Sequence, residues 1–387
     1  MPWNEVRPVD ERGRFVSEFL LGDRTMSELC RVFGISRKTG YKWLSRFASC
    51  GVSGLAERSR APLHRPNVTP REVMDALVEE RLRRPHWGPK KLVKALRRDR
   101  GLDAPAPSTA GSILKREGLI APRRRRRPVT VRSWPNSLTV ASRPNQVWAT
   151  DFKGQFRTGD GKKCYPLTVS DLCSRYVLGC DALSGPRHEP TRESFERLFS
   201  AHGLPEVIRV DNGTPFSGRG VLGLSRLSVF WLLQGVSVEF IQPGKPQQNG
   251  CHERMHRTLK AETTRPPAAN MAAQQDRFEA WREEFNHARP HEGLSMRCPA
   301  DVYEPSKRVY EGREDFSYPP DMETRRPRAN GCMKWQRKDV YVGDAFAWIT
   351  LGIRPTAGDG WLVYAGDTAL GEIDTATGGL RPLSPKE

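Results

Sequence analysis

Residues 119–143 divide this chain into two textures that one fold cannot share. The segment carries Arg123, Arg124, Arg125, Arg126 and Arg127 in succession, then Arg132 and Arg143, with Pro122, Pro128 and Pro135 among them and no acidic residue. Like charges repel and proline removes a backbone donor, so no regular element runs through it and 120–143 reads as a basic linker. Upstream, apolar residues recur at helical spacing; downstream, they alternate. The fold class is therefore multidomain, with all-α units before the break and an α/β core and a small β-barrel after it. A length of 387 residues accommodates roughly two to four such domains.

Three short helices are expected over 7–50. Phe15, Val16, Phe19 and Leu20 form an apolar stripe. Thr25 precedes Glu28 by the spacing of a capping box, Gly34 permits a sharp turn and Ser36 caps the third helix. With Gly40, Trp43, Leu44 and Phe47 facing inward, Arg37, Lys38, Tyr41 and Lys42 are left outward on the first two turns. Presenting such residues to a groove is what the second helix of a helix-turn-helix does, and the phrase at 25–47 resembles that motif in many transposases and regulators. A small bundle with a solvated basic face is the alternative. A second helix-turn-helix or winged unit is read over 70–119, from Val73, Leu77 and Val78, then Leu92, Val93 and Leu96, then Ile113 and Leu114 behind a Ser108 cap. Lys90, Lys91, Lys94, Arg97 and Arg98 load its middle helix with charge.

A formal net charge of +18 makes nucleic acid the favoured partner of this surface. The arginine run fits phosphates or a minor groove. Anionic membrane is disfavoured, because there is no lipidation signal and no apolar run of the ~18 residues that span a bilayer. The expectation is a cytoplasmic protein. The eight cysteines are scattered without CxxC spacing, so disulfides and structural zinc are disfavoured and the thiols are read as small buried apolar groups. His252 and His256, one helical turn apart, are read as helix-surface residues.

From 144 to 304 the pattern changes to strands. The stretch 145–156 is β-prone with Asp151 in its middle, and two further strand candidates follow as a meander. After a helix over 189–202, a short apolar strand ends at Asp211; then come a helix, another strand, a Pro/Gly/Gln-rich loop at 242–249 and a helix bearing Glu253. Helix 271–288 places Phe278, Trp281, Phe285 and Ala288 on one side. About five strands with mixed pairing indicate an α/β sheet. An aspartate in mid-strand is costly to bury unless paired or metal-bound. Asp151 could be the sheet neighbour of Asp211, with Glu253 packing across their ends. Three convergent carboxylates suit Mg²⁺, and two such ions would activate a water or 3′-hydroxyl and stabilise the leaving oxygen of a phosphodiester.

The phrases WATDFKG at 148–154, VSDLCSRY at 169–176, VDNGTPF at 210–216, PGKPQQNGCHERMHRTLK at 243–260 and FNHARPHEGL at 285–294 together resemble insertion-sequence transposases with a retroviral-integrase-type catalytic core. The resemblance implies an RNase H-like fold, with Asp151, Asp211 and Glu253 as the D-D-E catalytic and metal-binding triad. It also implies Mg²⁺ (or Mn²⁺), two ions, as cofactor. Arg257 and Lys260, four and seven residues after Glu253 on its helical face, take the place of basic residues that hold a DNA end. The 41 residues between Asp211 and Glu253 exceed the family's usual gap, and the excess is assigned to a loop at 218–223. Asp171 and Asp181 are read as structural. The expected partners are terminal inverted repeats, target DNA and further copies of the chain; any helper ATPase is left open. A domesticated, non-catalytic DNA-binding protein or regulator is the alternative, weighed against by the survival of all three carboxylates. Short alternating strands with Gly turns over 328–382 are expected to form the small β-barrel.

Overall fold

The computed structural model describes residues 8–58, 68–120, 138–218, 220–356, 360–374, 377, 379–381 and 383. The arginine run from Arg123 to Arg127 and most of the basic linker lie outside them. The chain divides into two compact units, Met1–Val68 and Thr69–Glu387.

In the first unit, α1 (Pro8–Leu21), α2 (Met26–Val32) and α3 (Arg37–Cys50) pack around Phe15, Val16, Leu29, Cys30 and Trp43. Local chemistry sets their ends. The Thr25 hydroxyl accepts from the Glu28 amide while the Glu28 carboxylate accepts from the Thr25 amide, and the Ser36 hydroxyl accepts from the Thr39 amide. Gly40 lets α3 approach closely, since a Cβ there would stand 2.9 Å from Cys30 Sγ. Arg37, Lys38, Tyr41 and Lys42 are exposed, as the stripe predicts. Leu20 is not part of that stripe and stays 67% exposed.

The second unit begins with α4 (Arg71–Arg83), α5 (Pro89–Arg100) and α6 (Pro107–Arg116), closed over Leu77, Leu92, Leu96 and Leu114. Ser108 is not a cap: α6 opens with Pro107 after Ala106, because a proline at the first position already lacks the amide that a cap would satisfy.

A mixed sheet follows, built from β1 (Val147–Phe152), β2 (Phe156–Arg157), β3 (Lys163–Asp171), β4 (Val177–Leu183), β5 (Val207–Val210) and β6 (Ser237–Phe240). Its order is β2-β3-β1-β5-β6, with β4 also paired to β3. The meander β1-β3-β4 is antiparallel and β1-β5-β6 is parallel. Between strands run α7 (His188–His202) and α8 (Arg226–Leu233); α9 (Gly250–Thr263) and α10 (Met271–Glu283) come after β6. After Glu283 the last turn widens into a π-helix over Glu284–Ala288. This lets Asn286 bond both backbone groups of Val177. The core of this layer is Trp148, Phe195, Phe199, Phe230 and Trp231.

The last sheet contains β7 (Glu323–Arg325), β8 (Cys332–Trp335), β9 (Lys338–Tyr341), β10 (Leu351–Pro355), β11 (Trp361–Ala365), β12 (Thr368–Asp374) and β13 (Gly379–Arg381). They pair in the order β7-β10-β11-β12-β13-β9-β8, a nearly closed, barrel-like sheet. It starts ahead of residue 328, and it is not a separate body. Leu224, Val229 and Leu233 of the α8 region share one apolar cluster with Met333, Val340, Ile353 and Val363. Helix α8 is apolar on almost every face for this reason: it serves two cores at once. The expected loop at 218–223 lies against this sheet too, with Val221 packed on its core. Nor is the stretch after Tyr303 a loose linker. Arg308 donates to the carbonyls of Pro205 and Gly235, and Tyr310 packs on Phe199 and Phe230. Among the described residues, no helix is long and apolar enough to cross a membrane.

Candidate active site

Pairing of β1 with β5 runs through Trp148 and Ile208. It brings Asp151, late in β1, near Asp211, the residue that follows β5. The turn after Asp211 is closed by its own side chain, whose Oδ1 accepts from the Gly213 amide at 3.0 Å. Helix α9 supplies Glu253 from its first turn. Side-chain oxygens of Asp151 and Glu253 and a ring nitrogen of His256 lie within 4.8 Å of one another. Asp211 is outside that tighter set, but of the two other carboxylates its charge acts more strongly on Asp151. Burial first, then the charges of Asp211 and Glu253, push the Asp151 carboxyl up to about 7. The site is short of positive charge. One cation does stand on the strand side: Lys153 Nζ is 3.6 Å from Glu253 Oε2.

His252 and His256 are not on the helix surface. Both are almost fully buried, at 1% and 0% exposure, because α9 lays them onto β3. His252 Nδ1 meets Ser170 Oγ at 2.8 Å, and Thr168 Oγ1 meets His252 Nε2 at 2.9 Å and His256 Nε2 at 2.5 Å. Burial pushes His252 down to about 3 and His256 well below the usual imidazole range. Thr168 has one hydroxyl proton and donates it to the Asp151 carbonyl at 3.1 Å. Both Nε2 atoms must then donate to Thr168, which leaves each Nδ1 an acceptor. His252 Nδ1 is satisfied by Ser170. His256 Nδ1 is buried without a hydrogen-bond partner and faces Asp151 Oδ2 at 3.6 Å.

A nitrogen lone pair facing a carboxylate, with two more carboxylates beside it, is a donor set that could hold a cation. Asp151, Asp211 and Glu253 offer hard oxygens and His256 one nitrogen, which fits a divalent ion such as Mg²⁺ or Mn²⁺. The spacing of His256, three residues after Glu253 on one helix, could have announced it, as could Lys153, two residues after Asp151.

Thr168→Val keeps the shape of the side chain and strips both imidazoles of their Nε2 partner. Leaving buried polar groups unmade costs about 1–3 kcal/mol each. Urea unfolding of this variant is expected to show a loss of about 2–6 kcal/mol, and an unchanged midpoint would refute the network.

The remaining sequence candidates separate by surroundings. Arg257 and Lys260 are exposed on α9 and have no ion-pair partner among the described residues. Asn212 donates to the Ile241 carbonyl and Gln248 accepts from the Gln242 amide, so both brace the loop before α9. Asp171 is structural as expected: its carboxylate accepts from the Asn145 amide and from the Ser174 amide and hydroxyl. Asp181 is ion-paired with Arg197. Arg289 is occupied by Glu262 at 2.8 Å. In α5, Lys94 is exposed, Lys90 is paired with Glu292 at 3.0 Å and Lys91 turns inward, so this helix does not offer one free basic face. Of the eight cysteines, Cys30, Cys164, Cys180 and Cys298 are buried; Cys50 is exposed and Cys173, Cys251 and Cys332 are half-buried, against the expectation of uniformly buried thiols.

Among known families, the helix-turn-helix domain matches residues 11–62 and a homeodomain-like domain residues 39–114. The integrase core domain matches 141–246 and, in a second form, 234–299. An uncharacterized 31.7 kDa protein of insertion element IS407 from Burkholderia multivorans is 28% identical over 49% of this chain and 66% of its own length, just under two thirds. An uncharacterized 39.2 kDa protein of insertion element IS476 from Xanthomonas euvesicatoria is 26% identical over 74% of this chain and 81% of its own. Among solved structures, the HTLV-2 integrase catalytic core domain in complex with magnesium (trimeric form) is similar over 43% of this chain and 100% of its own, at 14% identity and a TM-score of 0.32.

Proposed function

We propose, from the premise that this chain is an insertion-sequence transposase with an integrase-type core, that it binds the ends of a mobile element, cleaves a phosphodiester at each and joins the freed 3′-hydroxyls to target DNA. The observation that carries the reading is the convergence of Asp151, Asp211 and Glu253, with the Asp151 carboxyl pushed up to about 7 by burial first and then by the charges of the other two. Integrase-type cores typically use divalent metal. Asp151, Asp211 and Glu253 would hold it, with His256 Nδ1 as a further donor. Two divalent ions held there would supply positive charge to the phosphodiester under attack.

This chain's own residues do the rest. Thr168 fixes the backbone of Asp151 and, through His252 and His256, the roll of α9 that aims Glu253. Lys153 holds Glu253 toward β1. Arg257 and Lys260 are placed to grip phosphates of the DNA end one and two turns beyond Glu253. Exposed Arg37, Lys38, Tyr41 and Lys42 on α3 present the first unit to a groove. Because two ends must be joined in concert, the working form is at least a dimer on DNA. A labelled element end, Mg²⁺ and a supercoiled target plasmid test this directly: joined products are expected with metal and none in EDTA. A protein that binds the end and never cuts or joins it would place the chain with non-catalytic relatives.

A further inference from the structure

Beside the carboxylate site, within the second compact unit, a cavity of about 690 Å³ opens where the α4–α6 bundle meets the core. Lys91 of α5, Arg175, Arg254 and Arg257 of α9, Arg289 and His291 line it. Its acidic neighbours are already engaged. Glu292 is held by Lys90, Asp171 by Asn145 and Ser174, and Glu262 by Arg289 and Trp281. Lys91, Arg175, Arg254 and Arg257 therefore have no carboxylate partner among the described residues.

The β3–β4 turn, in which the Asp171 amide donates to the Tyr176 carbonyl, holds Arg175 at φ 65 and sets it in the cavity wall. One observation points to an anionic occupant. His291 Nε2 is buried with no hydrogen-bond partner. The field of the cluster is felt throughout. Burial and the Arg289 charge bring Lys91 down to about 8, and burial with Lys91, Arg289 and Arg175 brings His291 down to about 3. Concentrating like charge in a concave, partly desolvated place is unfavourable unless an anion completes it.

We propose that this cavity seats a backbone phosphodiester of the bound DNA, so that the α4–α6 bundle and the core form one phosphate site between them. The proposal rests on the DNA-joining reading above. Geometry favours DNA over a lone anion. Arg254 follows Glu253 directly and points about 100° around α9 from it, while Arg257 lies between the two directions. A strand whose scissile phosphate lies at Glu253 can cross α9 over Arg257 and place a neighbouring phosphate against Lys91, Arg175 and Arg254. The site is incomplete without Lys91, so docking of the bundle on the core would be read out as DNA affinity at the catalytic domain.

The test uses the full chain and a duplex carrying the element end, with affinity followed against salt. Each phosphate neutralised contributes about 0.9 to the slope of log affinity against log salt concentration. The triple variant Lys91→Gln, Arg175→Gln, Arg254→Gln is expected to lose about one unit of slope and to bind about tenfold more weakly. Lys91→Gln alone, should the triple variant melt early, is expected to weaken binding with a raised melting temperature, and Lys91→Arg to restore it. An unchanged slope and affinity in a folded variant overturns the proposal. Inorganic phosphate that, at equal ionic strength, competes with DNA on the wild type and not on the variant supports it; phosphate that binds the wild type and leaves its DNA affinity unchanged overturns it, since the cavity would then belong to a free anion. A wild type that joins ends while its variants keep their slope removes this proposal alone; one that shows the cavity-dependent slope and joins nothing removes only the DNA-joining reading.

Discussion

Asp211→Asn is expected to lower magnesium-dependent strand joining by at least about a thousandfold while changing end binding no more than a few-fold. The substitution conserves size and can keep the hydrogen bond from the Gly213 amide to Oδ1, so the turn after β5 survives. What it removes is one of the three negative charges that would hold the metal. A thousandfold corresponds to about 4 kcal/mol of transition-state stabilisation, within what charge stabilisation by a bound metal supplies. The α3 residues proposed to read the end belong to the other compact unit, so end binding is measured separately from joining. Gel separation of joined products from a labelled end, beside a shift assay on the same end, gives both numbers. Joining within tenfold of wild type would sink the assignment of Asp211.

Asp151 predicts a second large effect, one visible without any DNA. In the folded, metal-free protein its carboxyl titrates at about 7, against about 3.9 in an unfolded chain. The sign follows from linkage: the folded state binds the extra proton between these values. The corresponding stability is fully present below about pH 4 and is lost as pH rises through 7. Three units at about 1.4 kcal/mol each set an upper scale of roughly 4 kcal/mol. Asp151→Asn cannot ionise. In EDTA at pH 8 it is therefore expected to melt several degrees above wild type, at pH 4 to match it, and at every pH to be inactive in joining. Mg²⁺ should raise the melting point of wild type at pH 8 and leave that of Asp151→Asn nearly unchanged. A wild type and variant with the same difference in melting temperature at pH 4 and pH 8 would refute the raised carboxyl.

Much of the site was legible because its parts are set locally. The capping box of Thr25 and Glu28, the β-prone run around Asp151, the strand that stops before Asp211 and the helix bearing Glu253 all follow from nearest-neighbour chemistry and periodicity. The errors share a different cause. His252 and His256 flank Glu253 on a helix rich in basic residues, and by periodicity alone they pass for its wet side. Only the packing of α9 on β3, through Thr168 and Ser170, turns them inward. Ser108 is the exception, a local misreading: its neighbour Pro107 takes the first helical position.

What the sequence determined by itself is most of the helices and strands and the caps at Thr25 and Ser36, since each depends on residues within a few positions of one another; the compact units divide at Val68 and not at the basic linker. What only the tertiary structure decided is which charges meet. The parallel pairing of β1 with β5 joins Asp151 to Asp211 across a long span of chain. The packing of α5 on the core sets Lys91 near Arg289, and the second face of α8 fuses the β-sheet domain to the core. These are contacts between distant residues, chosen by burial of apolar surface and by the energy of charges in a low dielectric. Neither quantity can be summed along a chain before the fold says which groups are neighbours.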